Sequence, residues 1–408
     1  MQVLSLFWVG VVVAVVVLAF TGPVGWDSQV CWKTVQTLRQ GGDPYANGIA
    51  SLQQFQEREG ADSNARPPLV YVYSPMTLPL LRMTERFPGW ALGVFYTGAI
   101  VIGVLLQLWA GFQMADQGER RWLALLLPVA VFFPGLVTDD VILSGNVAYI
   151  LYGMVLAAAV AGWKRGSWSW FYAAVLVASA FKAPFLSLLA FPVLMDRKRW
   201  IPSGLTAAAG VLMFTGQMLI WPKMFREYLV AIRLMFEVGQ DFGYSPAGTV
   251  GRALRSLGLP FSQGTSALYV LFAGVIGFVL LDLAHRVREG KLPQERWIPV
   301  ALVGTLLLNP RIMKYDLAAI TIPMLLIGWR TLRFASIRWA ANSESAGSRP
   351  KHPNRTAILV GSGCFLIANI MTCAGPTWFP VELVVLLAIF AMGIWSLDRF
   401  RSELAPRI

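Results

Sequence analysis

Chemistry in this chain rests on a small set of polar side chains: Asp27, Asp43, Tyr45, Tyr73, Asp139, Asp140, Asn146, Lys182, Arg311, Lys314, Tyr315 and Asp316. Asp27 stands just past the uncharged apolar stretch Val3 to Thr21, at the mouth of a membrane, where an acid has both water and lipid beside it. A carboxylate so placed can take the proton from an attacking hydroxyl. The plainer reading is a solvated acid capping a helix. Lys182 lies in an apolar neighbourhood, where a cation is costly unless it faces a cavity or an anion. Its plainer reading is a lysine snorkelling to the interface. Asp139-Asp140 reads as a turn.

Other chemistries lack their residues. No Gly-rich phosphate loop, nucleophile elbow or zinc signature occurs. His285 and His352 both fall in basic loops, against histidine catalysis or a histidine-bound metal. Cys31, Cys364 and Cys373 form neither a disulfide framework nor a metal-ligand spacing. Neither a metal nor a cofactor is expected.

The elements that must position these residues are membrane helices. Hydrophobic residues make up 56% of the chain and charged ones 14%, with a mean hydropathy of +0.58. A bilayer core of ~30 Å needs about 20 apolar residues in helical form, and many such runs are present. The chain reads as an all-α polytopic membrane protein. Its net charge of +12 is spread over short loops, which argues against nucleic acid. The basic loops are Arg120–Arg121, Lys164–Arg165, Arg197–Lys198–Arg199, the Arg286 to Arg296 group, Arg330 to Arg355 and the tail from Arg399. Basic short loops mark the cytoplasmic side.

With those loops inside, spans fall near 3–22, 89–112, 122–138, 142–162, 168–181, 183–195, 200–220, 265–284, 297–309, 312–330, 356–374 and 379–396. That is roughly twelve, with both termini cytoplasmic and the first run a retained helix rather than a cleaved signal. The runs 168–181 and 183–195 provide only about 20 Å of helix each and meet at Phe181-Lys182-Ala183-Pro184. The pair 297–309 and 312–330 meets at Asn309-Pro310-Arg311. Helices broken at a proline beside a cation are expected around a polar cavity.

Two long segments lie on the other face. The first, 23–88, carries the turn Gly41-Gly42-Asp43-Pro44-Tyr45, then Tyr71-Val72-Tyr73-Ser74-Pro75, and an apolar stretch from Pro75 to Leu81 that dips into the interface. The second, 221–263, begins with Met224, Phe225, Tyr228, Leu229, Ile232, Met235 and Phe236. That spacing suits a helix lying on the membrane with Arg226 and Arg233 at headgroups. The chain reads as one domain, 1–408, with a cytoplasmic linker over 331–355 and two C-terminal spans over 356–396.

Asp27…Leu38…Gly42-Asp43-Pro44-Tyr45, followed by Tyr73-Ser74-Pro75, resembles the opening of glycosyltransferase family 87. Leu143-Ser144-Gly145-Asn146, Ala180-Phe181-Lys182-Ala183-Pro184 before Arg197-Lys198-Arg199, and Leu308-Asn309-Pro310 continue the resemblance in order, over about residues 5–330. The chain departs from the family at two places. Gly145-Asn146-Val147-Ala148 stands where the family often shows Gly-Gln-x-Asn, and Arg311 to Asp316 replaces a Trp and His that often follow the proline. Tyr315 or Asp316 would take that histidine's place.

The resemblance implies a C-type glycosyltransferase fold and an inverting hexosyltransferase. Its donor would be a polyprenyl-phosphate sugar of the mannose or glucose class and its acceptor a glycan or glycolipid. It also implies the plasma membrane of a bacterium and transfer at the non-cytoplasmic face. Asp27 would be the general base. Lys182, Arg311 and Lys314 would neutralise the departing lipid phosphate, with Tyr315, Asp316, Asn146, Tyr73, Asp43 and Tyr45 lining the substrate site. A monophosphate leaving group requires no divalent metal. Two other readings compete: a secondary transporter or lipid-linked sugar flippase, which broken helices also suit, and a polysaccharide polymerase or ligase that moves whole lipid-linked glycans.

Overall fold

The computed structural model describes residues 25–58, 70–120, 145–239, 245–257, 263–309, 312–344 and 381–404, with the isolated positions 10, 13, 17, 20, 68, 123, 363 and 367. The structure is 86% helical, with no strand among the described residues. This is an all-α membrane protein. The helices in chain order are α1 (Trp26–Arg39), α2 (Ala46–Arg58), α3 (Leu78–Met83), α4 (Gly89–Met114), α5 (Ala148–Arg165), α6 (Ser169–Phe181), α7 (Ala190–Met195) and α8 (Trp200–Ile220). They continue as α9 (Pro222–Gly239), α10 (Pro246–Ser256), α11 (Gln263–Arg288), α12 (Gln294–Leu307), α13 (Thr321–Glu344) and α14 (Val381–Leu404).

Among the described residues, four stretches are long and apolar enough to cross a bilayer: Gly89–Met114, Arg197–Ile220, Ala267–Arg288 and Val381–Asp398. The first, with 26 residues, reaches about 39 Å, more than the hydrocarbon core requires. Such helices expose bulky apolar side chains, among them Ile102 and Leu105 on α4, Leu212 and Leu219 on α8, and Leu271 and Phe278 on α11. In a membrane that is ordinary lipid contact. The expected spans 3–22, 122–138 and 356–374 fall mostly outside the described residues.

The chain, read above as one domain, forms two compact units, each assembled from separated segments. One comprises 1–106, 140–192 and 198–242. One core of this unit is built on α1, where Ser28, Cys31, Thr34, Val35 and Leu38 are buried in one stripe and Gln29, Lys33 and Gln36 face outward. Gly41 ends the helix at φ +70, and Gly42 donates its N–H to the Thr37 carbonyl at 2.9 Å. A Cβ on Gly42 would lie 2.9 Å from Thr37 Cγ2, so both glycines of the turn are required. The α1 stripe packs with Tyr45, Tyr71, Leu78, Leu81, Leu92, Phe225 and Tyr228. Each such side chain contributes about 1.5–3 kcal/mol by leaving water.

Close backbone contacts set the helix framework of this unit. A Cβ on Gly103 of α4 would stand 2.5 Å from the Tyr149 carbonyl oxygen, and one on Gly153 of α5 would stand 2.5 Å from the Gly103 oxygen. Two glycines facing each other allow α4 and α5 to cross backbone to backbone. Gly210 of α8 likewise meets Leu186, where a Cβ would stand 2.5 Å from Cδ2.

The other unit comprises 107–139, 193–197 and 243–408. Trp297, Ile298 and Leu307 of α12 are buried with Leu280 and Leu283 of α11 and with Leu386 and Phe390 of α14. Gly304 faces Leu280 and Phe390, and Gly393 faces Val300, small residues admitting large ones. Arg330 of α13, its side chain 8% exposed, pairs with Glu119, 3% exposed, at 2.7 Å and donates to the Met114 carbonyl at 2.9 Å. It was counted above among the basic loop charges. It is instead a buried, fully engaged cation at the end of α4.

Several boundaries differ from expectation. The span expected at 142–162 begins as a turn, Gly145 to Val147, before α5. Residues 183–189 form a 3-10 helix with Pro184 in its first turn, where a missing amide donor costs nothing. The span 312–330 opens as a 3-10 segment, Lys314–Ile320, and α13 then runs to Glu344. The linker expected at 331–355 is therefore helical over 331–344, consistent with its Arg, Leu and Ala content. Finally, α9 does not lie with its whole apolar face on lipid. Phe225, Tyr228 and Ala231 are buried in the protein core, while Leu229 and Val230 stay exposed beside Arg226 and Arg233.

Candidate active site

Asp27 occupies the first turn of α1, where the helix dipole favours a negative charge by about 0.3–1 kcal/mol. Gly25 precedes it at φ 94, a backbone geometry that glycine adopts without strain. Asn146 reaches it from a distant part of the sequence, donating from Nδ2 to Asp27 Oδ2 at 2.6 Å. Asn146 is itself 3% exposed, and its Oδ1 accepts the Ala148 N–H at 2.8 Å. Because that backbone donor fixes the oxygen end of the amide, the NH2 end must point at the carboxylate. Gly145 at φ +65 shapes the turn that delivers Asn146. Asn146 was expected to bind substrate; here its amide donates to Asp27.

Cys31 follows one turn later, and burial pushes its thiol up to about 12, the Tyr96 hydrogen bond opposing and the Asp27 charge adding. A thiol held protonated is no nucleophile.

Asp43 has a different environment. Its Oδ1 accepts N–H bonds from Tyr45 at 2.9 Å and Ala46 at 3.3 Å, capping α2. Its Oδ2 lies 3.5 Å from Lys223 Nζ on α9, and Lys223 also pairs with Glu227 at 3.7 Å. Burial raises the Asp43 carboxyl, but hydrogen bonds from Glu227, the two amides and Lys223 outweigh it and leave it below the usual range. Glu227 is pushed the other way, by burial and by its neighbour Asp43. Of the two carboxyls, Glu227 is therefore the one that takes up a proton first as pH falls.

Tyr45 is fully buried, and its hydroxyl donates to the Tyr73 carbonyl at 2.8 Å. Burial first, then the neighbouring Tyr71 and Tyr228, drives its phenol far above the ordinary value, so it remains a donor. The Tyr73 ring meets Tyr71 edge-on at 5.6 Å and Phe181 at 6.4 Å. Ser74 Oγ donates to the Ala180 carbonyl at 2.8 Å, and the Met76 N–H reaches Gln217 Oε1 at 3.0 Å. The Tyr73-Ser74-Pro75 loop is thereby fastened to the end of α6. There the helix stops, Lys182 turns extended (φ −141, ψ 103), and its Nζ is buried.

In the second unit, Asp316 is buried and its Oδ2 accepts the Met313 N–H at 2.9 Å, so it orders the start of the 3-10 segment. Lys314 and Tyr315 lie on that segment. Arg311, Asp139 and Asp140 lie outside the described residues. The structure thus joins Asp27 to Asn146, and Tyr45 and Tyr73 to the Lys182 helix break. Asp43 and Asp316 serve their own backbones. Sequence reasoning passed over three residues: Lys223 and Glu227, whose i,i+4 spacing on α9 was a legible signal, and Gln217, a polar residue in an apolar run. No group of metal-ligating side chains occurs among the described residues.

Comparison with protein-family models, curated proteins and solved structures finds no match to this chain.

Proposed function

We propose that this chain is an inverting hexosyltransferase of the C-type architecture, with about twelve spans, using a polyprenyl-phosphate sugar at the non-cytoplasmic face. The observation that carries the reading is Asp27, a carboxylate at a helix start and oriented by the buried amide of Asn146. In the proposed reaction an acceptor hydroxyl attacks the anomeric carbon and gives its proton to Asp27. The bond from that carbon to the phosphate oxygen breaks on the opposite face, inverting the centre. The electron pair leaves with the lipid phosphate. Lys182, at the break between α6 and the 3-10 helix, supplies positive charge for that phosphate. Arg311, Lys314 and Tyr315 keep their sequence-based assignment to donor binding. The acceptor is a glycan or glycolipid.

The test is transfer from labelled polyprenyl-phosphate mannose and polyprenyl-phosphate glucose in membranes containing the wild-type protein, Asp27→Asn or Lys182→Met. The proposal expects transfer from one of the two donors, abolished in both variants. Wild-type rates in Asp27→Asn would overturn it. Sidedness is read separately: a cysteine placed at Ser63 should react with an impermeant thiol reagent in intact cells, and one at Ser345 should not.

A further inference from the structure

The segment from Leu78 to Trp90, α3 with the turn Thr84–Arg86 and the start of α4, has three distinct faces. Leu78, Leu81 and Thr84 are buried, with the two leucines in the core that α1 shares. Thr84 is tied down by its hydroxyl to the Leu81 carbonyl at 2.6 Å. Leu80 and Met83 on α3 are exposed by 45% and 73%, and Phe87 and Trp90, at the extended residue after the turn and at the start of α4, are exposed by 41% and 55%. Arg82 and Arg86, one turn apart, make a third, exposed stripe, with the half-buried Glu85 as the acid between them.

The position of this segment decides what covers it. It runs directly into α4, whose Gly89–Met114 stretch is apolar and long enough to cross the bilayer. Phe20, in the first apolar run, stacks on Trp90 with ring centroids 6.5 Å apart. Residues immediately before such a span lie at headgroup depth. Apolar side chains there enter the acyl boundary, while guanidinium groups meet phosphates, which they bind in bidentate fashion. An uncharged headgroup layer would satisfy the exposed apolar side chains alone. The arginine stripe calls for negative lipid.

We propose that the outer face of Leu78–Trp90 docks on the headgroup layer of anionic phospholipid. Leu80, Met83 and Phe87 seat among the acyl chains, and Arg82 and Arg86 rest on lipid phosphates. The inference requires only membrane residence and is independent of the sugar-transfer reading.

The test uses the full chain in vesicles of phosphatidylcholine and phosphatidylglycerol. An environment-sensitive fluorophore is attached at Met83→Cys, with Cys364→Ser and Cys373→Ser, Cys31 being buried. Quenching by brominated phosphatidylglycerol is compared with quenching by brominated phosphatidylcholine at equal content. A label at Leu219→Cys, exposed on α8, reports the bulk lipid ratio. Position 83 should be quenched by both lipids, with the glycerol lipid favoured over the ratio at position 219. The pair Arg82→Gln and Arg86→Gln should remove that preference, a loss on the order of tenfold, while Arg82→Lys with Arg86→Lys keeps most of it. High salt should erase it in the wild-type arginine background, an arm that needs no folded glutamine variant. Absence of quenching at position 83, equal ratios at 83 and 219, or a preference indifferent to salt would each overturn the proposal.

Discussion

Asp27 and Asp43 both stand at the start of a helix in the same unit, and their surroundings separate them. Asp43 gives Oδ1 to the amides of Tyr45 and Ala46, the next residues along, and Oδ2 to Lys223. Its acceptors serve a turn and the tie between α2 and α9. Asp27 receives a side-chain amide from Asn146, buried and locked by Ala148. Asp316 behaves as Asp43 does, accepting from Met313 three residues away. An acid bonded to its own backbone neighbours is a cap. One addressed by a distant buried side chain has been oriented, and orientation is what a general base requires.

That contrast can be broken at several points. The largest effect expected is on transfer by Asp27→Asn, a fall of about 10²–10⁴-fold, against an Asp43→Asn enzyme that retains part of its activity, since asparagine also caps helices. Equal losses in the two would erase the distinction. Asn146→Ala should lower transfer by about 10–100-fold, the value of a lost hydrogen bond to a charged group. Its pH–rate profile should shift, whereas a merely structural defect would lower the plateau alone. Gly153→Val forces a side chain onto the Gly103 carbonyl, so thermal unfolding in detergent should show a loss of about 1–3 kcal/mol. An unchanged midpoint would show that the α4–α5 crossing is not as close as described.

The smallest effect concerns pH and belongs to the Asp43 side. Asp43 is depressed, so its contribution is present above the unfolded carboxylate value and lost as pH falls through its folded value. Glu227 is raised, so its contribution is present below its unfolded value and lost as pH rises through its folded value. The tie is strongest near the ordinary carboxylate range, about pH 4. Unfolding midpoints of wild type and Glu227→Gln should therefore differ progressively as pH rises, with the glutamine protein gaining. A difference independent of pH would mean that Asp43 and burial do not raise the Glu227 carboxyl.

The apolar runs were legible because hydropathy and length are local quantities, and α4, α8, α11 and α14 fall close to the runs read from sequence. The turn at Gly41-Gly42 was legible for the same reason, since a positive φ demands a residue without Cβ. The Phe181–Pro184 break was too, because a missing amide donor is a property of proline itself. Partnership was not legible. Which acid is oriented and which is a cap depends on whether the carboxylate is taken up by the amides beside it and an exposed lysine, as at Asp43, or met by a buried amide brought in by folding, as at Asp27. Arg330 shows the same limit: its composition reads as a loop charge, and only tertiary packing buries it on Glu119. Hydrophobicity sums along the chain, whereas a hydrogen bond needs two groups within about 3 Å, a distance that folding alone sets.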